Sequence, residues 1–309
     1  MTRGFITIAT GKKQYYEIAV NLLRSYRYFA KEKYPFAIIA EEENECTALF
    51  DDVILTNEAM HSFMDKLLLM KLCPYDETIF IDADSLAYGD LNAYWDFFEG
   101  ATDFASLGAN YPLDQKEGPW YNVEDIGKYG KEITYKTRVH SGVCFIRKSD
   151  KLKKLYDDCM DIFNHYDELY FHSFPNSVDE CVLGVAMPMN QMKAVRQKQD
   201  MLAAYPCLTT LNADILHGVL QYTTPWGGYT EKGILLHWGT AQTYQPLYRY
   251  NVACLRFLLR NEPGRFWEKL LYEYCIAYYI FLCIYAFGIP FKLFKKCIRK
   301  IAKIASRMK

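Results

Sequence analysis

Two acidic residues one position apart, Asp82 and Asp84, end the apolar run Thr78-Ile79-Phe80-Ile81. An uncharged β-prone run carries the backbone to the edge of a sheet, and carboxylates at i and i+2 then project from the strand end. Hard oxygen ligands in that place suit Mg²⁺ or Mn²⁺ bridging to the phosphates of a substrate. An ordinary strand end with solvated aspartates in the following turn has the same short pattern, so the surroundings must decide.

The elements around the pair alternate. Phe5 to Thr10 reads as a strand, Gly11 as a turn, and Tyr15 to Phe29 as a helix with Ile18, Leu22, Tyr26 and Phe29 on one face. Phe36 to Ala40 and Val53 to Leu55 are short strands, Met60 to Leu72 a helix, and Thr78 to Asp82 a strand again. A helix around Asn92 to Phe98, strands at Phe104 to Leu107 and Val139 to Ile146, and a helix from Lys151 to Asn164 follow. Such alternation predicts an α/β fold with a mostly parallel sheet covered on both faces, which binds ligands beyond the carboxyl ends of its strands. Thr10-Gly11 and Asp82/Asp84 then share one rim. Between these elements, Gly108 to Lys136 is polar, aromatic and without clear periodicity, the mark of a functional or mobile loop.

Lys66-Leu67 and Pro74-Tyr75-Asp76 precede the acidic strand end, and Gly89-Asp90-Leu91 follows it. Later come His140-Ser141-Gly142-Val143, Asp179-Glu180 and Leu236-His237-Trp238-Gly239. In order and spacing these segments resemble the GT-A glycosyltransferases, most closely family 8, the group of glycogenin and the bacterial lipopolysaccharide galactosyl- and glucosyltransferases. The likeness runs from about Phe5 to Leu255. His140 stands where that family has Asn, and Glu180 where it has Gln; either exchange bears on which sugar is accepted.

The resemblance implies a GT-A, Rossmann-like fold and a Mn²⁺ (or Mg²⁺) ion held by Asp82, Asp84 and His237, acting as a Lewis acid on the leaving diphosphate. It implies that Lys66, Ala83, Ser141, Gly142 and Gly239 line the nucleotide-sugar site, with Lys66 a point charge on the diphosphate. Thr10, Gly11 and Tyr15 would hold the nucleoside, Tyr16 being a weaker candidate. Asp179 and Glu180 would serve catalysis beside Asp82 and Asp84. Each residue also has an ordinary reading. His237 follows an apolar run and can be a core histidine, Lys66 can be a solvated charge, and Ser177-Val178-Asp179-Glu180 has the form of a capping box opening a helix.

The expected reaction is transfer of a sugar from a nucleotide donor, UDP-linked by the resemblance, to a hydroxyl of a lipid-linked or cell-envelope glycan, with retention. With no convincing carboxylate nucleophile in the sequence, a front-face route in which the leaving diphosphate assists deprotonation of the acceptor is the default. Two rivals remain: a degenerate GT-A domain that only binds nucleotide sugars, and a phosphatase of the haloacid-dehalogenase type. The phosphatase pattern wants Thr or Val where Leu86 stands. An EF-hand needs oxygen ligands continuing at alternate positions, which Leu86 and Ala87 deny.

At 309 residues, 51% hydrophobic and 24% charged, the composition is globular. The ten cysteines form no CxxC pair and no zinc-type cluster with histidine, and the chain enters a strand directly at Phe5, so a reducing, cytoplasmic setting is expected. The net charge of −1 hides an asymmetry: Lys292 to Lys309 contributes eight basic residues and no acid, leaving the remainder near −9. That acidic body argues against nucleic acid as the main partner. Tyr274 to Phe291 carries no charge, and the basic side chains from Lys292 to Arg307 fall within an arc of about 140° opposite an apolar face. This division predicts C-terminal helices lying on an anionic membrane, with a catalytic domain at 1–260 and a membrane-association segment at 261–309. The protein is thus expected to work at the inner face of a membrane.

Overall fold

A computed structural model describes residues 1–115, 123–128, 132–168, 178–196, 201–225 and 228–260. The chain divides into two compact units, Met1–Thr243 and Tyr244–Lys309. In the first, strands β1 (Arg3–Ile8), β2 (Phe36–Ala40), β3 (Asp52–Leu55) and β4 (Glu77–Ile81) alternate with helices α1 (Lys13–Phe29) and α2 (Leu69–Leu72). Then come β5 (Ser85–Ala87), α3 (Ala93–Phe97), β6 (Phe104–Tyr111), α4 (Val123–Lys128), β7 (Lys136–Arg147), α5 (Asp150–Asn164) and α6 (Asp179–Met189). Short strands β8 (Val195–Arg196), β9 (Ala203–Ala204), β10 (Thr210–Asp214), β11 (Val219–Thr223), β12 (Tyr229–Thr230) and β13 (Leu235–His237) complete it. Of the second unit, helix α7 (Pro246–Arg260) is described.

The central sheet has the order β3-β2-β1-β4-β7-β6-β8. β1 lies parallel to β2 and β4, and β2 to β3, whereas β7 runs antiparallel to both β4 and β6. Both faces are apolar, as parallel strands buried on two sides require. Alternate residues of each strand serve opposite layers: Phe5, Ile38, Ile79 and Phe145 pack with α1 and α3, while Ile6, Ile39, Phe80 and Cys144 pack with α5 and α6. Because β1, β2 and β4 run the same way, their carboxyl ends share one rim, as the alternation predicted. Thr10, Glu41 and Asp82 stand on it.

Two expectations change in detail. The helix foreseen over Met60 to Leu72 is a 3₁₀ turn, Phe63–Leu68, running into α2. Ser62 Oγ accepts the Met64 N–H and Asp65 Oδ1 takes the Met60 N–H, so side chains satisfy the donors that an earlier helical start would engage. Part of the aperiodic stretch is ordered strand, for β6 continues to Tyr111 and pairs with the first residues of β7. Among the described residues no helix is long and apolar enough to cross a membrane. The apolar run from Tyr274 and the basic tail from Lys292 lie outside the described residues.

Candidate metal and diphosphate site

β4 gives way to Asp82-Ala83-Asp84, and the chain turns at once into β5, with Ser85 N–H donating to Asp82 C=O at 3.1 Å. β13 pairs antiparallel with β5, setting His237 opposite Ser85. The register is locked one residue later, where Trp238 N–H donates to Asp84 C=O at 3.0 Å. Residues more than 150 positions apart in sequence thus meet. His237 Nε2 lies 2.9 Å from Asp84 Oδ1 and 3.7 Å from Asp82 Oδ2.

One ligand atom from each of Asp82, Asp84 and His237 can be chosen so that all lie within 4.8 Å of one another, an arrangement that can hold a metal ion. Two carboxylate oxygens and one imidazole nitrogen suit Mn²⁺ better than a purely oxygen-seeking ion. A partner in the next shell orients one of them: Thr240 Oγ1 donates to Asp84 Oδ2 at 3.0 Å. Gly239, before it, has φ of +76°, a backbone conformation that favours glycine and turns the chain under the site.

Lys66 enters from the 3₁₀ turn. Its Nζ donates to Asp82 Oδ2 and to Ser141 Oγ, each at 2.9 Å, and stands 3.5 Å from Asp179 Oδ2. Among the described residues that Asp179 oxygen is buried without a hydrogen-bond partner, so Lys66 serves it as a counter-ion and not as a donor. Glu180 reaches outside its own helix, its Oε1 accepting the Ser141 N–H at 3.1 Å. Val178 is the N-cap of α6, with no side-chain cap, and Ser177 lies outside the described residues.

A discontinuity in β7 supplies that amide. Leu107 of β6 pairs with His140 and Ser106 with Cys144, so Ser141, Gly142 and Val143 have no partner on β6. On the other edge β7 keeps contact with β4, because Asp82 N–H donates to Gly142 C=O at 3.0 Å. Such a bulge re-aims the strand locally. A Cβ at Gly142 would sit 3.1 Å from the His140 ring and 3.6 Å from His237 Nδ1, so a side chain would crowd both imidazoles.

Four carboxyl groups, Asp82, Asp84, Asp179 and Glu180, therefore surround one lysine and one histidine. Burial raises the Asp82 pKa against the pull of Lys66 and His237. For Asp84 burial is outweighed by the hydrogen bonds from His237 and Thr240, and its pKa falls. Burial opposes the charged forms of Lys66 and His237, yet the carboxylates win and both pKa values rise. Glu180 is pushed up to about 7, chiefly by burial and then by Asp179. His140 goes down to about 3 through burial and the nearby His237, so it is neutral, and its Nδ1 accepts the Gly142 N–H at 3.3 Å.

The rest of the expected nucleotide site is partly engaged internally. Thr10 Oγ1 donates to Asp65 Oδ2 at 2.6 Å and Gly11 N–H to Glu41 Oε2 at 2.5 Å, while Glu41 Oε1 pairs with His61 Nε2 at 2.8 Å. Tyr15 is half-buried, and with Ala83 it packs against the core layer of α1. Tyr16 is buried, and its hydroxyl accepts the Glu41 N–H at 3.4 Å. Sequence reasoning passed over Glu41, Asp65, His61 and Thr240. Glu41 was findable, since it follows the wholly apolar parallel strand β2 as Asp82 follows β4.

No protein-family model matches the sequence, and no curated protein matches it. Solved structures do match. The galactosyltransferase LgtC, in complex with donor and acceptor sugar analogs, is 15% identical at a TM-score of 0.50, covering 87% of this chain and all of its own. An active-site mutant of LgtC, glutamate for glutamine, matches at 14% identity, the same TM-score and the same coverage. Mouse xyloside xylosyltransferase 1 is more distant, at 11% identity and a TM-score of 0.46, with 78% of this chain and 99% of its own covered. At these identities the LgtC likeness establishes a shared GT-A fold.

Proposed function

We propose that this chain is a divalent-metal-dependent glycosyltransferase of the family 8 type, moving a sugar from a nucleotide donor, UDP-linked by the resemblance, to a glycan hydroxyl. The observation that carries the reading is the meeting of Asp82, Asp84 and His237 on the ligand-binding rim, with Lys66 beside them. The shared fold with LgtC, a galactosyltransferase matched over its whole length, supports it. So does the segment order noted in the sequence.

Asp82, Asp84 and His237 would hold the ion, which when bound supplies Lewis-acid neutralisation of the diphosphate. Lys66 is placed to exchange its contacts with Ser141 and Asp179 for a diphosphate oxygen, adding a second positive charge where negative charge develops. Asp179, with a buried oxygen free of hydrogen bonds among the described residues, is placed to accept from a donor-sugar hydroxyl. Retention of configuration goes with the family 8 reading.

The test is a panel of nucleotide sugars screened for Mn²⁺-dependent thermal stabilisation, since a ligand bound by the folded state alone raises its apparent stability. Stabilisation by UDP-sugars, followed by Mn²⁺-dependent UDP release, is expected. Binding without turnover would favour the non-catalytic reading, and hydrolysis of a generic phosphate ester the phosphatase. The acceptor is proposed to be lipid-linked, reached at the inner face of an anionic membrane through the basic tail. Deleting residues 291–309 should then abolish co-sedimentation with anionic vesicles, and unchanged sedimentation would end that part.

A further inference from the structure

The strand order β3-β2-β1-β4 sets three parallel strand ends side by side on the rim: Glu41 after β2, Thr10-Gly11 after β1 and Asp82 after β4. The chain leaves β1 toward β2 on one side and returns as β4 on the other, so a crevice opens between the ends of β1 and β4. The proposed metal site occupies its β4 side. Glu41 stands across β1 from it, two strand spacings or roughly 10 Å along the rim, a distance that the ribose-to-diphosphate part of a nucleotide can bridge. Asp179, proposed above for the donor sugar, joins the β4 end through Lys66, which leaves the β1–β2 end to the nucleoside.

The Glu41 carboxylate is held from two sides. Oε2 accepts the Gly11 N–H at 2.5 Å and Oε1 accepts from His61 Nε2 at 2.8 Å. An ionised carboxylate only accepts, so Nε2 of His61 carries the proton. Behind these contacts the backbone is fixed, for the Glu41 N–H donates to the Tyr16 hydroxyl and Ala40 C=O accepts the Thr56 N–H at 2.9 Å. His61 has φ of +53°, a left-handed conformation uncommon for a residue with a side chain. Its turn is tied to the end of β1 by Asp65, which accepts the Met60 N–H and the Thr10 hydroxyl, each at 2.6 Å. A Cβ at Gly11 would lie 3.5 Å from the His61 ring, so glycine lets the imidazole sit close over the turn.

Those two bonds use one lone-pair position on each oxygen, and about one remains on each. The side chain keeps 30% of its surface exposed, so the remaining positions are open to a ligand. A ligand group meeting them must donate, and two oxygens on one carbon suit two adjacent hydroxyls. In nucleotide-binding sheets that begin with this strand order, an acidic residue beyond the first turn and helix takes a ribose hydroxyl. We propose that Glu41 accepts hydrogen bonds from the 2′- and 3′-hydroxyls of the donor's ribose and so selects ribonucleotides over 2′-deoxyribonucleotides, an inference that rests on the nucleotide-donor reading. Gly11 and His61 set the carboxylate before the ligand arrives, so little side-chain freedom is lost on binding. His61 is a positioning residue, acting through Glu41.

The experiment titrates UDP, 2′-deoxy-UDP and CDP, each with Mn²⁺, into the full-length parent, Glu41→Ala and His61→Ala. The parent should bind UDP roughly 10- to 100-fold more tightly than 2′-deoxy-UDP, the range of a hydrogen bond to a charged group. In Glu41→Ala that preference should fall to about one, and in His61→Ala to an intermediate value, while Mn²⁺ binding without nucleotide stays that of the parent in both. A parent that binds UDP and 2′-deoxy-UDP alike would overturn the proposal. So would a Glu41→Ala chain that keeps the preference, since Glu41 and His61 would then be a surface ion pair only. If Glu41→Ala instead loses a preference for UDP over CDP and keeps that for ribose, the carboxylate reads the base and the ribose assignment falls. If the parent binds none of the three with Mn²⁺, the nucleotide-donor reading fails first and takes this one with it.

Discussion

Strand β4 begins on the buried Glu77 and is followed at once by the partly buried Asp82, so a carboxylate stands at either end of it. At the first end the charge is closed. Glu77 Oε2 takes the Arg3 Nε–H at 2.8 Å, and Oε1 takes two donors of Arg147 at 3.0 and 2.9 Å. Burial works against the charged form, but two guanidinium groups overcome it and hold the carboxyl below the usual range. At the other end four carboxyls share Lys66 and His237, and both Asp82 and Glu180 lie above the usual range. The two ends carry the same residue class, both largely shielded from solvent: the difference is whether positive charge inside the protein balances the negative. An ion pair that stabilises the fold balances itself, whereas a cluster left short of positive charge has room for a cation from outside.

The largest expected break in this contrast comes from Asp84→Ala. It removes a proposed ligand and should weaken Mn²⁺ binding by more than the roughly 10–100-fold that loss of an outer partner costs, while circular dichroism stays that of the parent. Glu77→Gln should do the reverse: urea unfolding should show a loss of about 1–3 kcal/mol, with Mn²⁺ affinity unchanged. Because the folded-state value of Glu77 is depressed, its contribution is present above the ordinary glutamate value of about 4.3 and is lost as pH falls through the folded value. The stability gap between parent and Glu77→Gln should therefore close below that range, and a gap independent of pH would show that charge is not what the arginines read. The smallest effect belongs to Thr240→Ala, which deletes one hydrogen bond to Asp84 and should cost about tenfold in Mn²⁺ affinity.

How much of this was legible depended on range. Strands β1 to β4, β6 and β7 and the helices α1, α3 and α5 follow from local periodicity, and β2 falls at Phe36 to Ala40 as expected because every residue in it is apolar. The rim followed from the alternation, since parallel strands must end together. The encounter of His237 with Asp84 was reachable only through the resemblance, because its physical cause is the register of two three-residue strands. Neither the bulge in β7 nor the fork of Arg3 and Arg147 on Glu77 has a local signature. Glu180 shows the limit most plainly. Its sequence setting read as a capping box, and only the buried amide of Ser141, left without a partner on β6 two elements earlier, gives the side chain another partner.

The central claim is that Asp82, Asp84 and His237 hold a divalent cation for a nucleoside diphosphate. Calorimetric titration of UDP into the full-length chain, with Mn²⁺ and again with excess EDTA, tests it most directly. The account predicts one UDP per chain with Mn²⁺, at least a hundredfold weaker binding in EDTA, and the same weak binding in Asp84→Ala whether Mn²⁺ is present or not. Equal affinity with and without the metal, or an Asp84→Ala variant that keeps the Mn²⁺ effect, would contradict it.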